Sequence, residues 1–357
     1  GVLEPAILAE ELGPFDATFH IPAFLEGGRT TENGIHYLNG IPVHTTDFAH
    51  DNIFGFSTSN LAKWIEEKSF GKIQAKNILH VKIKQLDMAF NDEDGFESLL
   101  KFLSKLENNT SVVVDAKLPH HLEILASAIK VVSKEKRFLF RTAAGFINSL
   151  SALPPNPKCT ADLVSLKSKN NEYKYKPGLI IVGSHVKLAT DQLKVLLIDN
   201  SCKGLEIPVS KLANTFALED RQQAILEIEY TLLSKIDDIL DLEKVPVLYT
   251  SREEMKFSSY SERMTFGLEL AEFMSILVRK ITNKLGYIIS KGGITTQILL
   301  QKGLNFNHVH LKGQILPGLS IVTGDSDQYN LPVVTFPGNL GNEKTLLEVL
   351  KLMDSIT

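Results

Sequence analysis

Three segments in the second half of the chain bring glycines together with hydroxyl or amide side chains. They are Val182–Val186, Ser290–Thr296 and Phe336–Gly341. Glycine lets the backbone approach a ligand closely, and free N–H groups beside hydroxyls suit a phosphate group. The candidate residues for contact with a phosphate group are Gly183, Ser184, Gly292, Gly293, Thr295, Thr296, Gly338, Asn339 and Gly341.

Each segment alone is also compatible with an ordinary turn. Ser184 or Asn339 would then satisfy backbone donors, and Thr295 would be a helix N-cap. The second segment does not match the Walker pattern, because no Gly-Lys-Ser/Thr sequence follows its glycines. All three segments, however, follow predicted strands, and open parallel sheets bind ligands at the carboxyl ends of their strands. Their shared edge therefore favours a nucleotide site.

A fourth segment, Pro22–Thr31, follows a predicted strand in the first half of the chain. Its Arg29 carries a planar guanidinium that suits a carboxylate or a phosphate, and Gly28 precedes it. The alternative is a surface ion pair between Arg29 and Glu26 or Glu32. Gly28 and Arg29 are therefore candidates for contact with an anionic group, and the residues alone leave both interpretations open.

Three histidines give weaker indications of a functional site. His36 is expected only to pack beside its neighbour Tyr37. His120 and His121 are adjacent at a predicted helix start and should face different ways, so no metal site is predicted.

Short apolar runs alternate with helical patterns along the whole chain. The run Gly178–Val182 is continuously apolar, which is typical of a strand buried on both faces. This alternation predicts an α/β fold with mostly parallel sheets flanked by helices. A chain of 357 residues is too long for one ordinary core, and Leu153–Pro157 contains three prolines. The predicted domains are therefore 1–154 and 155–357, each with its own sheet.

The composition argues against several classes of protein. The 38 basic and 42 acidic residues are interspersed and give a net charge of −4, so no basic face for nucleic acid is expected. No run approaches the ~20 apolar residues that span a bilayer, and no signal peptide is recognised at the start. The two cysteines, Cys159 and Cys202, indicate neither a zinc site nor a disulfide, and a reducing cytoplasm is the expected location.

At these segments the chain resembles the four-carbon acid sugar kinase family. The matching stretches occur in the family's order and run over nearly the whole length. They are Pro22–Arg29, Asn33–Tyr37, Arg137–Ala144, Gly178–His185, Lys291–Thr295, Gly313–Gly318 and Phe336–Gly341.

The resemblance implies an enzyme that uses ATP and Mg²⁺ to phosphorylate the terminal hydroxyl of a sugar acid such as threonate, erythronate or 3-oxo-tetronate. It implies that the N-terminal domain holds the acid at Arg29. The C-terminal domain would hold ATP at Ser184 and at the turns Gly292–Thr296 and Gly338–Gly341. The implied partners are these two small molecules, with neither nucleic acid nor membrane, and a homo-oligomer is left open.

The chain departs from the family in one respect. The family begins with an Asp-Asp-x-Thr-Gly-Ala-like motif and later has an Asp-Ser-Thr-Leu-Arg-Gly-like stretch, and neither occurs in this sequence. We expect that an N-terminal part of the usual protein is absent from the chain. Asp16, Asp47 and Asp51 remain in the first half, but their spacing nominates none of them as a general base.

Two other interpretations compete with the kinase. A non-catalytic nucleotide- or sugar-acid-binding protein is the main alternative, because the acidic motifs are missing. A dinucleotide-dependent dehydrogenase is disfavoured, since no G-x-G-x-x-G sequence with an acid about twenty residues later follows a strand.

Overall fold

A computed structural model describes residues 2–46, 49, 55–151, 160–252, 255, 257–324 and 331–354. The chain divides into two compact units, Gly1–Pro155 and Asn156–Thr357. The proline-rich segment at the predicted domain boundary falls outside the described residues, so the boundary between 154 and 155 stays a prediction. Within the described ranges, no helix combines the length and the apolar character that crossing a membrane requires.

The described part of the first unit contains two sheets and six α-helices. The strands are β1 (Ala17–Ile21), β2 (Arg29–Glu32), β3 (Ile35–Leu38), β4 (Ile41–Pro42), β5 (Leu79–Val81), β6 (Thr110–Val114) and β7 (Phe138–Thr142). The helices are α1 (Leu3–Leu12), α2 (Leu61–Lys68), α3 (Ile83–Asn91), α4 (Glu93–Ser104), α5 (Pro119–Val132) and α6 (Ala144–Ser151). The main sheet has the order β5-β6-β1-β7 and is parallel, whereas β2, β3 and β4 form a small antiparallel sheet.

The strand β1 places apolar residues on one side of the main sheet and a histidine on the other. All five of its residues are buried, and alternate residues face opposite sides of the sheet. Phe19 and Ile21 join the apolar core made with α3, α4 and α5. Burial of each such side chain stabilises the fold by about 1.5–3 kcal/mol. His20, between them in sequence, points to the other side.

The described part of the second unit contains one seven-stranded sheet. Its strands are β8 (Gly178–Val182), β9 (Cys202–Ile207), β10 (Val245–Thr250), β11 (Tyr287–Lys291), β12 (Val309–Leu316), β13 (Leu319–Gly324) and β14 (Val333–Phe336). Its helices are α7 (Thr160–Val164), α8 (Lys187–Leu196), α9 (Val209–Phe216), α10 (Gln222–Asp241), α11 (Tyr260–Ile281), α12 (Gly293–Ile298) and α13 (Thr345–Asp354).

The strand order in this sheet is β12-β13-β14-β11-β8-β10-β9. The five strands from β14 to β9 are mutually parallel, while β13 pairs antiparallel with both β12 and β14. Along β8, Leu179 and Ile181 belong to one core cluster, and Ile180 and Val182 belong to another. The sheet is therefore buried on both faces, which accounts for the continuously apolar sequence of β8.

The predicted α/β class, with two domains that each contain a mostly parallel sheet, is confirmed. The predicted alternation of strands and helices does not hold at β13, which follows β12 through a tight turn at Gly318 with φ of +78°. Such a turn joins antiparallel neighbours and leaves no room for a crossover helix. The alternation also does not hold for the consecutive helices α3 and α4, or for β2, β3 and β4, which have no α-helix between them.

Candidate functional site

The three glycine-bearing segments of the second unit lie at one edge of the sheet. They follow β14, β11 and β8, which are neighbouring parallel strands. Ser184 lies between the other two segments: a Cβ atom added to Gly338 would overlap its hydroxyl, and one added to Gly292 would lie 3.3 Å from its Cβ. The structure thus brings the three segments together around one serine.

Backbone hydrogen bonds and close packing hold the three segments in this arrangement. The N–H of Gly183 donates to the carbonyl of Lys291 at 3.2 Å, and the N–H of Gly292 donates to the carbonyl of Phe336 at 2.9 Å. A Cβ atom on Gly183 would overlap the hydroxyl of Thr295. Gly292 has a φ of +120°, which favours glycine over residues with a side chain. The glycines are thus required by the approach of one segment to the next.

The predicted nucleotide contacts differ in what surrounds them. Gly293 and Asn339 are exposed, and a Cβ atom on Gly293 would meet no atom within 4 Å. The Thr296 hydroxyl is buried and lies 2.8 Å from the carbonyl oxygen of Gly292 and 2.9 Å from Oγ of Ser290. Gly341 turns the chain with a φ of +83° beside Thr345. Thr296 and Gly341 therefore build the segments, while Gly293 and Asn339 face open space.

Two residues that the sequence did not nominate position these segments. Arg252, just beyond β10, donates from Nη1 to the carbonyl of Ser184 at 2.5 Å and from Nη2 to that of Val182 at 3.4 Å. Gln192 of α8 is fully buried and donates to the carbonyl of Leu340 at 3.1 Å. The position of Arg252, directly after a strand, could have indicated from the sequence that it lies near the three segments. The position of Gln192 on a helix gave no such indication.

Lys291 lies within the second segment, but the sequence assigned its side chain no role. Its side chain is fully buried, its Nζ donates to the carbonyl of Pro337 at 2.9 Å, and the same atom lies 3.9 Å from the centre of the Phe336 ring. Burial lowers the pKa of this amine to about 7 from its ordinary value of 10.5. Lys291 thus ties the end of β11 to the segment that contains Gly338.

The first unit contains a separate cavity of about 200 Å³. Its wall includes Arg29, for which contact with an acidic substrate stays a prediction, together with Arg141 from β7. Gly28 does not line the cavity in the described part of the chain; its φ of +69° and its contact with Asn39 make the turn that leads into β2. Gly28 therefore forms the turn before Arg29, and of these two residues Arg29 lines the cavity.

Two histidines also line this cavity, and sequence reasoning missed both. His36 is buried, with Nδ1 3.0 Å from the Thr31 hydroxyl, so it does more than pack beside its neighbour. His20 is also buried, on the cavity side of β1. Burial lowers the pKa of each ring to about 4, with a further lowering of His36 by Arg29 and of His20 by Arg141. A histidine within the apolar strand β1 was an available indication.

Asp115, at the end of β6, holds the turn between β2 and β3. Its carboxylate accepts hydrogen bonds from the N–H groups of Asn33 at 3.0 Å and Gly34 at 2.9 Å. Asp16 instead accepts from the N–H of Arg137 at 2.8 Å, and that bond lowers the pKa of its carboxyl group. Both aspartates are thus engaged in holding the fold. Asp47 and Asp51 lie outside the described residues.

A third cluster joins Asp87 to His120 and His121. The Nε2 atoms of both rings approach Oδ1 of Asp87, at 3.1 Å and 2.9 Å, so the expectation that adjacent histidines face different ways is wrong. His121 Nδ1 accepts hydrogen bonds from the N–H groups of Lys117 and Leu118. Its Nε2 therefore carries the proton and donates to Asp87. Although the spacing could fit a metal ion, this proton occupies the ligand position of His121.

Comparisons with known families assign a type to each unit. The family model for a sugar-binding N-terminal domain matches residues 2–150, and that for a nucleotide-binding C-terminal domain matches residues 179–346. The first match contains the cavity with Arg29, and the second contains the three segments around Ser184.

Individual relatives match nearly the whole chain at low identity. A D-threonate kinase of Salmonella typhimurium is 22% identical over 348 residues, which cover 94% of this chain and 73% of the relative. A solved structure from Salmonella typhimurium LT2 matches with a TM-score of 0.61 and 16% identity, covering 97% of this chain and 75% of its own. Protein HI1011 of Haemophilus influenzae matches with a TM-score of 0.56 and 18% identity, covering 99% and 77%. The two solved structures share the fold of this chain. The two domain models together match most of its residues and show that the chain belongs to the four-carbon acid sugar kinase family.

Proposed function

We propose that this protein is an ATP-dependent kinase that phosphorylates the terminal hydroxyl of a four-carbon sugar acid. The observation that carries the proposal is the convergence of three glycine-bearing segments around Ser184, at the carboxyl ends of β8, β11 and β14. Ligands of open parallel sheets bind at this edge, and glycines there let backbone N–H groups approach phosphate oxygens. The similarity to a D-threonate kinase supports the same assignment.

In this proposal the triphosphate of ATP lies against Ser184, Gly293 and Gly338. Gly293 and Asn339 are exposed and leave space for a ligand. The segments are positioned in advance by Arg252 and Lys291, so little reorganisation is needed when the nucleotide binds.

The sugar acid would bind in the cavity of the first unit. A volume of about 200 Å³ is below the ~300–1,000 Å³ typical of pockets for drug-sized ligands, and suits a molecule of a few carbon atoms. The guanidinium of Arg29 would bind its carboxylate, because a planar fork of N–H donors matches two carboxylate oxygens.

Mg²⁺ would accompany ATP. None of the three segments contains Asp or Glu, so phosphate oxygens would supply most of its ligands, with the hydroxyls of Ser184 and Thr295 as candidates from the protein. The ion would neutralise charge on the phosphates. The residues of the chain would bind and orient the two substrates, which is the main requirement of phosphoryl transfer.

The test is ADP release by the complete protein, supplied with ATP, Mg²⁺ and each of a panel of four-carbon sugar acids. We expect at least one acid to stimulate ADP release over the rate without acid. Arg29→Met should raise the KM for that acid at least about tenfold and leave the KM for ATP unchanged. Binding of ATP without any acid-dependent ADP release would instead identify a nucleotide-binding protein. Absence of both ATP binding and ADP release would refute the proposal.

A further inference from the structure

In the cavity wall of the first unit, His20 differs in its hydrogen bonding from the neighbouring polar residues His36 and Ser59. His36 contacts the Thr31 hydroxyl at 3.0 Å, and the hydroxyl of Ser59 accepts from the N–H of His44 at 2.9 Å. His20 is only 4% exposed, and among the described residues neither of its ring nitrogens has a hydrogen-bond partner. Buried polar groups are nearly always hydrogen-bonded, so two ring nitrogens in a cavity wall that no described protein group satisfies indicate a position where a ligand can bind.

The charge around His20 decides which ligand group it suits. His20 is paired in register with Arg141 on the neighbouring strand β7, and Arg29 lines the same cavity. Burial, and then the positive charge of the Arg141 guanidinium, lower the pKa of the His20 ring to about 4. The imidazole is therefore neutral at physiological pH. A ring this weakly basic is a poor proton acceptor in catalysis, which favours a binding role.

A neutral imidazole carries one N–H donor and one acceptor nitrogen. An alcohol hydroxyl, which both donates and accepts, matches this pair. A carboxylate only accepts hydrogen bonds and is better matched by an arginine. The cavity wall thus offers two kinds of recognition: guanidinium groups for an acid group and a neutral ring for an alcohol group.

We propose that His20 is a specificity-determining residue that hydrogen-bonds a hydroxyl of the bound acid, so that the cavity selects hydroxylated four-carbon acids over their deoxy analogues. This inference rests on the proposed function, because it takes the acid-binding site to be the cavity that contains Arg29. It adds the residue that recognises the hydroxyl and the contrast in ligands that depends on it.

The experiment measures the dissociation constants of acids with the complete protein by calorimetry. The probes are the 2,3,4-trihydroxybutanoate stereoisomer that the wild type binds most tightly, its 2-deoxy analogue and its 3-deoxy analogue. We expect the wild type to bind at least one deoxy analogue about tenfold or more weakly, because that ligand leaves His20 unsatisfied. In His20→Phe this ratio should fall to within about threefold, since neither ring nitrogen remains.

Two further variants control for indirect effects. His20→Asn keeps a donor and an acceptor and should retain part of the preference, whereas the exposed His310 of β12 can be changed to Phe without altering the ratio. If His20→Phe does not fold, the ring nitrogens of His20 can be followed in the wild type by ¹⁵N NMR. Their resonances should shift with the trihydroxy acid and not with the disfavoured deoxy analogue.

The outcomes separate this inference from the proposed function. Wild-type protein that binds none of the acids and releases no ADP would contradict the proposed function and the inference together. Wild-type protein that prefers hydroxylated acids, with the same preference in His20→Phe, would overturn the role of His20 and leave the kinase proposal standing. Equal ¹⁵N shifts with both kinds of acid would also overturn it.

Discussion

Each of the two units buries one basic side chain beside its candidate binding surface, Lys291 in the second unit and His20 in the first. The two side chains differ in their hydrogen-bond partners. In the second unit, Nζ of Lys291 donates to the Pro337 carbonyl and lies over the Phe336 ring. In the first unit, the nitrogens of His20 have no hydrogen-bond partner within the described ranges, although its ring lines a cavity. The pKa of each base is lowered, mainly by burial.

This difference separates a residue that builds a site from one that is available to a ligand. Lys291 is satisfied by the protein itself and ties the end of β11 to the glycine-bearing segment after β14. No group in the described part of the chain satisfies the ring of His20, which lines the cavity and is placed to meet a ligand there. Desolvation alone therefore does not identify a ligand-binding residue, and the hydrogen-bond partners decide between the two roles.

The first prediction concerns Lys291 and the free energy of unfolding at alkaline pH, where the largest change is expected. Lys291 has a folded pKa of about 7 against 10.5 ordinarily, so between these values the unfolded chain binds a proton that the folded chain does not. The free energy of unfolding should therefore rise with pH across this window, by on the order of 3 kcal/mol from this group. Lys291→Met should remove that rise, as measured by urea unfolding at pH 7 and pH 10.

Lys203 provides the control for this measurement, because it is an exposed lysine on β9. Lys203→Met should keep the slope of the wild type. An unchanged slope in Lys291→Met would show that the amine is charged and solvated in the folded protein, and the comparison between the two bases would fail.

The second prediction concerns the acid range and His20. Its folded pKa is about 4 against 6.5 ordinarily, so as the pH falls from 6.5 to 4 the unfolded chain gains a proton that the folded chain does not. Stability should fall across this window by on the order of 2 kcal/mol from this ring. His20→Phe should lessen the fall, as measured by urea unfolding at pH 7 and pH 4.5. A sugar acid that satisfies His20 should stabilise the wild type more than the variant.

The third prediction concerns the packing between segments in the second unit. A Cβ atom at Gly183 would overlap the Thr295 hydroxyl and push the segments after β8 and β11 apart. Gly183→Ala should weaken ATP binding about tenfold, or ~1.4 kcal/mol, measured by calorimetry. The control is Gly267→Ala on α11, where an added Cβ atom meets nothing within 4 Å. Equal weakening in both variants would mean that the segments do not act through their mutual packing.

The sequence was sufficient for features that depend on local pattern. The continuous apolar run of β8 and the alternation of strands and helices predicted the α/β class, because burial on both faces requires such runs. The glycines at 183, 292 and 338 predicted segments that meet, because their positions at strand ends place them on one edge of a parallel sheet. Whether these residues bind ATP stays a proposal.

Features that depend on contacts between distant parts of the chain could not be predicted. Arg252 reaches Ser184 across 68 positions, and Gln192 reaches Leu340 across 148. His120 and His121 meet at Asp87 because both rings turn toward α3, which residue spacing on a single helix does not reveal. The unsatisfied nitrogens of His20 are likewise visible only when all its neighbours are in place.

The most direct test of the central claim is a calorimetric titration of ATP with Mg²⁺ into the complete protein, for the wild type and Gly293→Val. The wild type should bind one ATP per chain. The variant should keep the melting temperature of the wild type, because its new side chain enters open space, and bind ATP at least about tenfold more weakly, because that space receives the phosphates. No binding by the wild type, or equal binding by both proteins, would contradict a nucleotide site at the three segments.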